Sequence, residues 1–78
     1  MVREFESEDE GKRVVNSGGE MIGVIESASG STAQVKPEET LSRSIRRRLG
    51  WTDESEEHYE LQHSRVDSIT DEEVHLKE

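Results

Sequence analysis

The chain has no cysteine, one proline and three aromatic residues among its 78 residues. Without cysteine it can form neither a disulfide nor a thiolate zinc site, and it has no thiol nucleophile. Its longest apolar runs are pairs such as Val14 and Val15, far shorter than the ~20 residues of a membrane-spanning helix. We therefore expect no disulfide framework, no zinc ribbon and no membrane partner.

Apolar residues are scarce as well, since the sequence is 28 % hydrophobic and 37 % charged. A chain of this length buries only ~60 % of its unfolded surface even when it is well packed, so its core must be thin. A catalytic cleft with its own supporting residues is difficult to build on such a core. The composition therefore predicts a non-enzymatic protein with no cofactor and no small-molecule substrate.

Negative charge dominates, with 19 acidic against 10 basic residues and a net charge of −9. Lysine is rarer than arginine, and 15 of the 19 acidic residues are glutamate. Such a surface suits a salt-rich cytoplasm, because the Debye length falls to ~3 Å at ~1 M salt; an ordinary acidic protein with a flexible tail is the alternative. The first residues lack the apolar run of a signal peptide, which predicts a cytoplasmic protein. The acidity disfavours nucleic acids and anionic membranes as main partners.

Residues 1–10 are predicted to be an acidic N-terminal segment, and residues 11–78 the domain. Ser7 and Glu10 have the spacing of a capping box, which favours a helical turn. A single turn pinned by Phe5 and a frayed terminus are both compatible with this pattern.

Three β-rich runs separated by glycine and serine follow, at residues 12–16, 20–27 and 32–35. Short β-rich runs between such turns are typical of an antiparallel meander. Pro37 ends the third run, because proline cannot donate a hydrogen bond to a sheet. Gly23 lies inside the second run and predicts a sharp bend or the close approach of another backbone.

The middle of the chain changes to a helical period. Leu41, Ile45 and Leu49 recur every four residues, which predicts a helix from Thr40 to Leu49. Thr40 is the predicted N-cap, and Gly50 is the predicted left-handed stop after the last turn.

The last part of the chain contains three more short β-rich runs, at residues 59–61, 66–69 and 73–77. Val66 and Ile69 are three residues apart, which does not fit the period of two of a regular strand, so we expect a bulge or a bend between them. The final run alternates apolar and polar residues strictly, as a strand with one buried face does.

Segments 11–15, 22–25, 32–35 and 66–76 together resemble the PRC-barrel family. They follow its order of G-x-x-V, a turn, I-G-x-V, further short strands and a closing hairpin, although the acidic front end departs from many members. The resemblance implies a mainly β fold: a small antiparallel barrel of five or six strands with one helix inserted between the third and the fourth. It also implies an adaptor module that docks onto other proteins, as members do in RNA processing, ribosome maturation and cell division.

Three histidines, His58, His63 and His75, raise the question of a metal site. The first two are five residues apart, at the edge of the spacing found in zinc sites, but no second close pair accompanies them. His75 occupies the polar face of its predicted strand. The spacing therefore favours ordinary structural roles, and we expect neither a metal site nor catalytic residues.

Four arginines, Arg43, Arg46, Arg47 and Arg48, stand out in so acidic a chain. One interpretation is a docking patch for an acidic protein surface or an RNA backbone, with the nearby Trp51 as an anchor. The other is favourable interaction with the helix dipole together with ion pairs to the chain's own glutamates, namely Glu54, Glu56 and Glu57. Trp51 has a corresponding alternative role as a lid on the core.

The predicted partner-binding residues are Arg43, Arg46, Arg47 and Trp51. Another protein is the expected partner, and RNA bound through the arginine-rich helix is the alternative. A homodimer is a further expectation, because a thin core covers its apolar residues poorly by itself. Its interface would bury apolar residues on or beside the helix, namely Leu41, Ile45, Leu49 or Trp51.

Overall fold

The computed structural model describes residues 3–51 and 57–77, which contain six strands and one α-helix. The strands are β1 (Arg13–Val15), β2 (Met21–Ser29), β3 (Thr32–Pro37), β4 (Tyr59–Gln62), β5 (Val66–Ile69) and β6 (Glu73–Leu76). Helix α1 (Arg43–Leu49) lies between β3 and β4, and single 3₁₀ turns occur at Ser7–Asp9 and His63–Arg65. The predicted fold class, mainly β with one helix inserted between the third and fourth strands, is confirmed.

All six strands belong to one sheet, in the order β4-β3-β2-β1-β6-β5, which curls into a half-barrel. Four of the five neighbouring pairs are antiparallel, as the meander predicts. The pair formed by β1 and β6 is parallel, so the sheet is mixed rather than purely antiparallel. In the described part of the chain β4 and β5 are the two edge strands of the sheet. They are not paired with each other, so the sheet does not close into a complete barrel.

Strand β2 has a bulge at Ile22, next to Gly23. The register shifts along the β1–β2 ladder, so that Val14 lies opposite Gly23 while Val15 lies opposite Met21. A Cβ atom added at Gly23 would lie 2.3 Å from the carbonyl oxygen of Lys36 on β3. The predicted close approach of another backbone is therefore confirmed, and so is the irregularity in β5, where the register shifts between Val66 and Ser68.

The core lies inside the curl and draws on every strand. Its buried members are Phe5, Val14, Ile22, Ile25, Ala28, Ala33, Val35, Leu49, Trp51, Tyr59, Leu61, Val66, Val74 and Leu76. Leu41, Ile45 and Ile69 pack against it while partly exposed. Apart from Phe5, Trp51 and Tyr59, the buried members of the core are aliphatic.

The N-terminal segment packs onto this core. Phe5 is 3 % exposed. Its backbone N–H and C=O both hydrogen-bond the backbone of Gly30, in the turn between β2 and β3. The turn at Ser7–Asp9 follows, so of the two alternatives the structure has the helical turn pinned by Phe5. Its N-cap is Glu6 rather than Ser7, because the carboxylate that accepts the cap N–H belongs to Asp9 and not to Glu10.

Helix α1 begins at Arg43, three residues after the predicted N-cap Thr40. The backbone N–H of Leu41 donates to Glu38 in a turn, which keeps this stretch out of the helix. Ser42 is the N-cap, and its Oγ accepts from the N–H of Ile45 at 3.3 Å.

The predicted stop at Gly50 is confirmed. Gly50 has a φ of 77°, in the left-handed region that favours glycine. Its N–H donates to Arg47, and the N–H of Trp51 donates to Arg46. These two bonds form a Schellman motif, which satisfies carbonyl groups of the last turn and directs Trp51 back towards the core.

Candidate functional site

Helix α1 is held firmly on its apolar side. Ile45 and Leu49 pack with the core, and the Trp51 ring stacks on Tyr59 of β4 with centroids 5.1 Å apart and planes 12° apart. Arg65, in the turn between β4 and β5, donates to the carbonyl oxygen of Arg48 at 3.3 Å. The helix is therefore fixed at its C-terminal end by contacts from β4 and from the turn between β4 and β5, and its opposite face points to solvent.

Arg43 and Arg47 lie on that exposed face, and Arg46 lies at its edge. The side chains of Arg43 and Arg47 are exposed and lie one turn apart. The side chain of Arg46 is partly buried and lies beside the apolar stripe. We call Arg43, Arg46 and Arg47 the arginine surface. Arg48 points to the other flank, where it lines a small cleft with Asn16 and core residues, so it is not part of this surface.

The arginine surface has no carboxylate partner in the described part of the chain. The ion pairs between described residues have Arg3, Lys12, Arg13, His58 or His75 as their basic member. None of them includes an arginine of α1. The expected pairing with Glu57 does not occur. Glu54 and Glu56 lie outside the described residues. Internal ion pairing therefore does not account for the cluster among these residues.

The helix dipole accounts for only some of the positive charge. Arg46, Arg47 and Arg48 occupy the last turn, where the negative end of the dipole favours cations. Arg43 is the first residue of α1, and the first turn contains no acidic residue. A cation at that end is disfavoured by the dipole, so the helix dipole does not explain Arg43.

Trp51 does not belong to the exposed surface. Its side chain is 4 % exposed and stacks on the Tyr59 ring. This position corresponds to the alternative role, in which Trp51 covers the core. The other two aromatic residues, Phe5 and Tyr59, are buried as well, at 3 % and 8 % exposure. The chain has no further aromatic residue, so it offers no exposed tryptophan, tyrosine or phenylalanine ring to a partner.

A second polar cluster, which the sequence reasoning missed, surrounds the fully buried carboxylate of Asp9. The guanidinium of Arg3 donates to both carboxylate oxygens at 2.9 and 2.8 Å, the Lys12 Nζ lies 2.9 Å away, and the N–H of Glu6 donates at 2.9 Å. Hydrogen bonds from Arg3, above all, hold the pKa of Asp9 far below its ordinary value despite burial. A general acid needs a raised pKa, so this cluster suits a structural role. We call Arg3, Glu6, Asp9 and Lys12 the N-terminal clasp.

Lys12 extends the clasp to the other end of the chain, because its Nζ also donates to the carbonyl oxygen of Thr70 at 2.7 Å. Thr70 lies in the turn between β5 and β6. The only sequence signal for this arrangement is the capping-box spacing, which we assigned one residue too late.

The three histidines lie at separate places. His58 faces Glu26 at 3.8 Å and His75 faces Glu73 at 3.3 Å. The His63 ring packs edge-on against Phe5 and contacts the carbonyl oxygen of Arg3. Among residues 3–51 and 57–77 no group of three His, Asp or Glu side chains could hold a metal ion.

No helix in the described residues is long and apolar enough to cross a membrane. No curated protein and no solved structure gives a significant match to the chain. One family model matches residues 5–76, from the buried Phe5 to the end of β6, and its description is a family of unknown function, DUF8593. The match includes all six strands, α1 and, of the cluster around Asp9, every member except Arg3. The chain belongs to the DUF8593 family.

Proposed function

We propose that this chain is a non-enzymatic interaction module, an adaptor that binds another protein through the arginine surface. The observation that carries the proposal is the position of Arg43 and Arg47 on the exposed face of α1, with Arg46 at its edge, and none of the three has an acidic partner in the described residues. The resemblance to PRC-barrel proteins supports the same role, with RNA processing, ribosome maturation or cell division as settings. The acidic composition supports a salt-rich cytoplasm as its environment.

The support beneath the surface suits a binding role. α1 is capped by Ser42 at one end and by the Gly50 motif at the other, and the stacked pair Trp51 and Tyr59 holds its last turn. Side chains presented from a rigid element lose less conformational entropy on binding than those on a mobile loop. The exposed arginines therefore start from a fixed backbone.

RNA binding through the same helix is the second candidate, because three guanidinium groups within two turns could contact phosphates. Single-stranded RNA is bound largely by stacking of bases on aromatic rings, and Phe5, Trp51 and Tyr59 are all buried here. The net charge of −9 also repels a polyanion. These two observations favour a protein partner.

Self-association has less apolar surface available than the sequence suggests. Leu49 and Trp51 are 7 % and 4 % exposed within the single chain, whereas Leu41 and Ile45 are partly exposed. A homodimer interface would therefore use Leu41 and Ile45. Light scattering over a range of concentrations tests it, and a constant monomer mass excludes it.

Affinity capture from an extract of the source cells tests the proposed function. The baits are the tagged full chain, the variant Arg43→Glu/Arg47→Glu, and the control Lys36→Glu/Lys77→Glu, which makes the same change of charge at exposed positions outside α1. We expect the wild type and the control to retain the same protein after nuclease treatment, and the arginine variant to lose it. Retention by all three baits, or capture that nuclease abolishes, would contradict the proposal.

A further inference from the structure

The position of Arg43 is unfavourable for the stability of its own helix. It is the first residue of α1, with no acidic residue in the first turn, and the positive end of the dipole disfavours a cation. Arg47 lies one turn further along, and like charges at this spacing repel. Arg43 has no carboxylate partner in the described residues to offset these effects.

The geometry of the arginine surface matches carboxylates better than it matches a continuous polyanion. Arg43 and Arg47 are four residues apart, which is about 6 Å along a helix. Carboxylates at every second residue of an extended peptide lie about 7 Å apart, and each can accept two parallel hydrogen bonds from one guanidinium. A short acidic segment can therefore reach both arginines while contacting little else.

The charge of the remaining surface limits the size of the anion. The chain carries −9 overall, and at ~0.1 M salt charges repel across about 10 Å. A nucleic acid brings a phosphate with every nucleotide, so the phosphates that do not contact the arginine surface would be repelled by the net negative charge of the chain. A peptide whose carboxylates are confined to two or three positions avoids most of this repulsion.

We infer that the arginine surface docks an acidic protein segment, with carboxylates at alternate residues paired to Arg43 and Arg47. The inference rests on the proposed function and names the chemistry of the partner. It gives Arg43 a role that its place in the helix does not explain, since local stability alone would favour an acidic residue there.

Fluorescence anisotropy of the full chain with labelled 12-residue probes at ~0.1 M salt tests the inference. The probes are a peptide with glutamates at alternate central positions, the same peptide with glutamines, and a single-stranded RNA of 12 nucleotides. The proteins are the wild type, Arg43→Glu and the control Lys36→Glu. Urea unfolding of each protein is measured in parallel.

We expect the acidic peptide to bind the wild type and Lys36→Glu with equal affinity. It should bind Arg43→Glu at least about tenfold more weakly, because one ion pair is lost and a repulsion is gained. A tenfold change corresponds to ~1.4 kcal/mol of binding free energy. The glutamine peptide should not bind. Arg43→Glu should unfold at higher urea than the wild type, because an acidic first residue suits the dipole. Weaker binding by a more stable protein separates docking from folding.

Several results would overturn the inference: no binding of the acidic peptide, equal binding by Arg43→Glu, equal binding of the glutamine peptide, or RNA that binds more tightly and displaces the peptide. If the capture experiment still yields a protein that depends on Arg43 and Arg47, the proposed function stands and only the acidic chemistry of the partner is wrong. If capture fails while the acidic peptide binds as expected, the adaptor role is wrong and the chemistry stands.

Discussion

Gly23 shows how one missing side chain permits the curl of the sheet. Its neighbour across β2 and β3 is the backbone of Lys36, and the Val35 side chain lies nearly as close, at 2.9 Å from an added Cβ. Real Cβ atoms do not approach a carbonyl oxygen to 2.3 Å, so any other residue must push the two strands apart. The requirement concerns space, not a special backbone angle.

Replacement of Gly23 by alanine is therefore expected to lower the free energy of unfolding by at least ~1–3 kcal/mol, the cost of overpacking a tight interior. Gly18→Ala is the matched control, because a Cβ there meets only the Asn16 Oδ1 at an ordinary 3.5 Å. Urea denaturation of both variants measures the difference. Equal midpoints for the two variants would mean that β2 and β3 are not in this close contact.

Asp9 is the residue whose charge matters most to the fold. Its carboxylate is fully buried among Arg3, Lys12 and the N–H of Glu6. Removal of one member of such a buried pair leaves charges uncompensated and typically costs ~3–5 kcal/mol. Asp9→Asn is expected to destabilise the protein at neutral pH by a similar or slightly smaller amount, because Arg3 is partly exposed.

The same residue predicts a dependence of stability on pH. The folded pKa of Asp9 lies far below its unfolded value of ~3.9, so the folded state holds fewer protons. Its contribution is therefore complete above about pH 5 and is lost as the pH falls towards the folded pKa. The gap in unfolding free energy between the wild type and Asp9→Asn should therefore be constant above about pH 5 and narrow from there towards pH 2.

Chemical denaturation at a series of pH values measures this gap, with Asp67→Asn as the control at an exposed position. The control should follow the wild type throughout. A gap between the wild type and Asp9→Asn that stays constant down to the lowest pH would show that the charge of Asp9 does not stabilise the fold.

At the scale of elements, α1 shows which local signals decide a boundary. Both Thr40 and Ser42 are suitable N-cap residues, and the apolar stripe includes Leu41, so the pattern favours the earlier start. The hydrogen bond of Leu41 to Glu38 takes residue 41 into a turn that follows β3, which shifts the start to Arg43. The end of the helix needed no such tertiary information, because Gly50 supplies the left-handed residue itself.

The N-cap is tested by Ser42→Ala. We expect a loss of about 1 kcal/mol in the free energy of unfolding, because the N–H of Ile45 loses its acceptor. Ser42→Asp should restore most of it, since aspartate is an equally good N-cap. Thr40→Ala, at an exposed position before the helix, serves as the control, and a loss there as large as in Ser42→Ala would contradict the assigned boundary.

The N-terminal segment was the element that the sequence described least well. Its five acidic residues and two apolar ones after the first residue are as typical of a frayed terminus as of a packed turn. The decision came from distant residues, namely Gly30, which bridges Phe5, and Thr70, which accepts from Lys12. Contacts across so long a stretch of chain leave no local pattern.

At the scale of the whole molecule, the parallel pairing of β1 with β6 joins the two ends of the chain. Val14 lies opposite Val74 in this ladder, and Arg13 faces Glu72 and Glu73 across it. Alternation in each strand identifies the buried face but not the neighbour in the sheet. The short turns between the strands predicted the meander from β1 to β3, whereas no local signal predicted the parallel pair.

The net charge also acts at this scale. The net charge of −9 means that excess negative charges repel one another in the folded protein. Raising KCl from ~0.1 to ~1 M shortens the Debye length from ~10 to ~3 Å and so screens this repulsion. The free energy of unfolding should therefore rise with salt. The variant Glu4→Gln/Glu8→Gln/Glu10→Gln, which changes exposed residues without a described ion pair, should depend less on salt. Identical salt slopes for both proteins would show that self-repulsion is not the cause.

The sequence by itself determined the mainly β class, the inserted helix, its stop at Gly50 and the need for a glycine at position 23, because periodicity, capping and the lack of a Cβ are properties of neighbouring residues. It also singled out the helix arginines. Only the tertiary structure decided that Trp51 is a lid, that Asp9 is a buried clasp, and that Arg43 is left without a partner among the described residues. These are facts of proximity between residues far apart in the chain, and burial and charge compensation depend on such proximity.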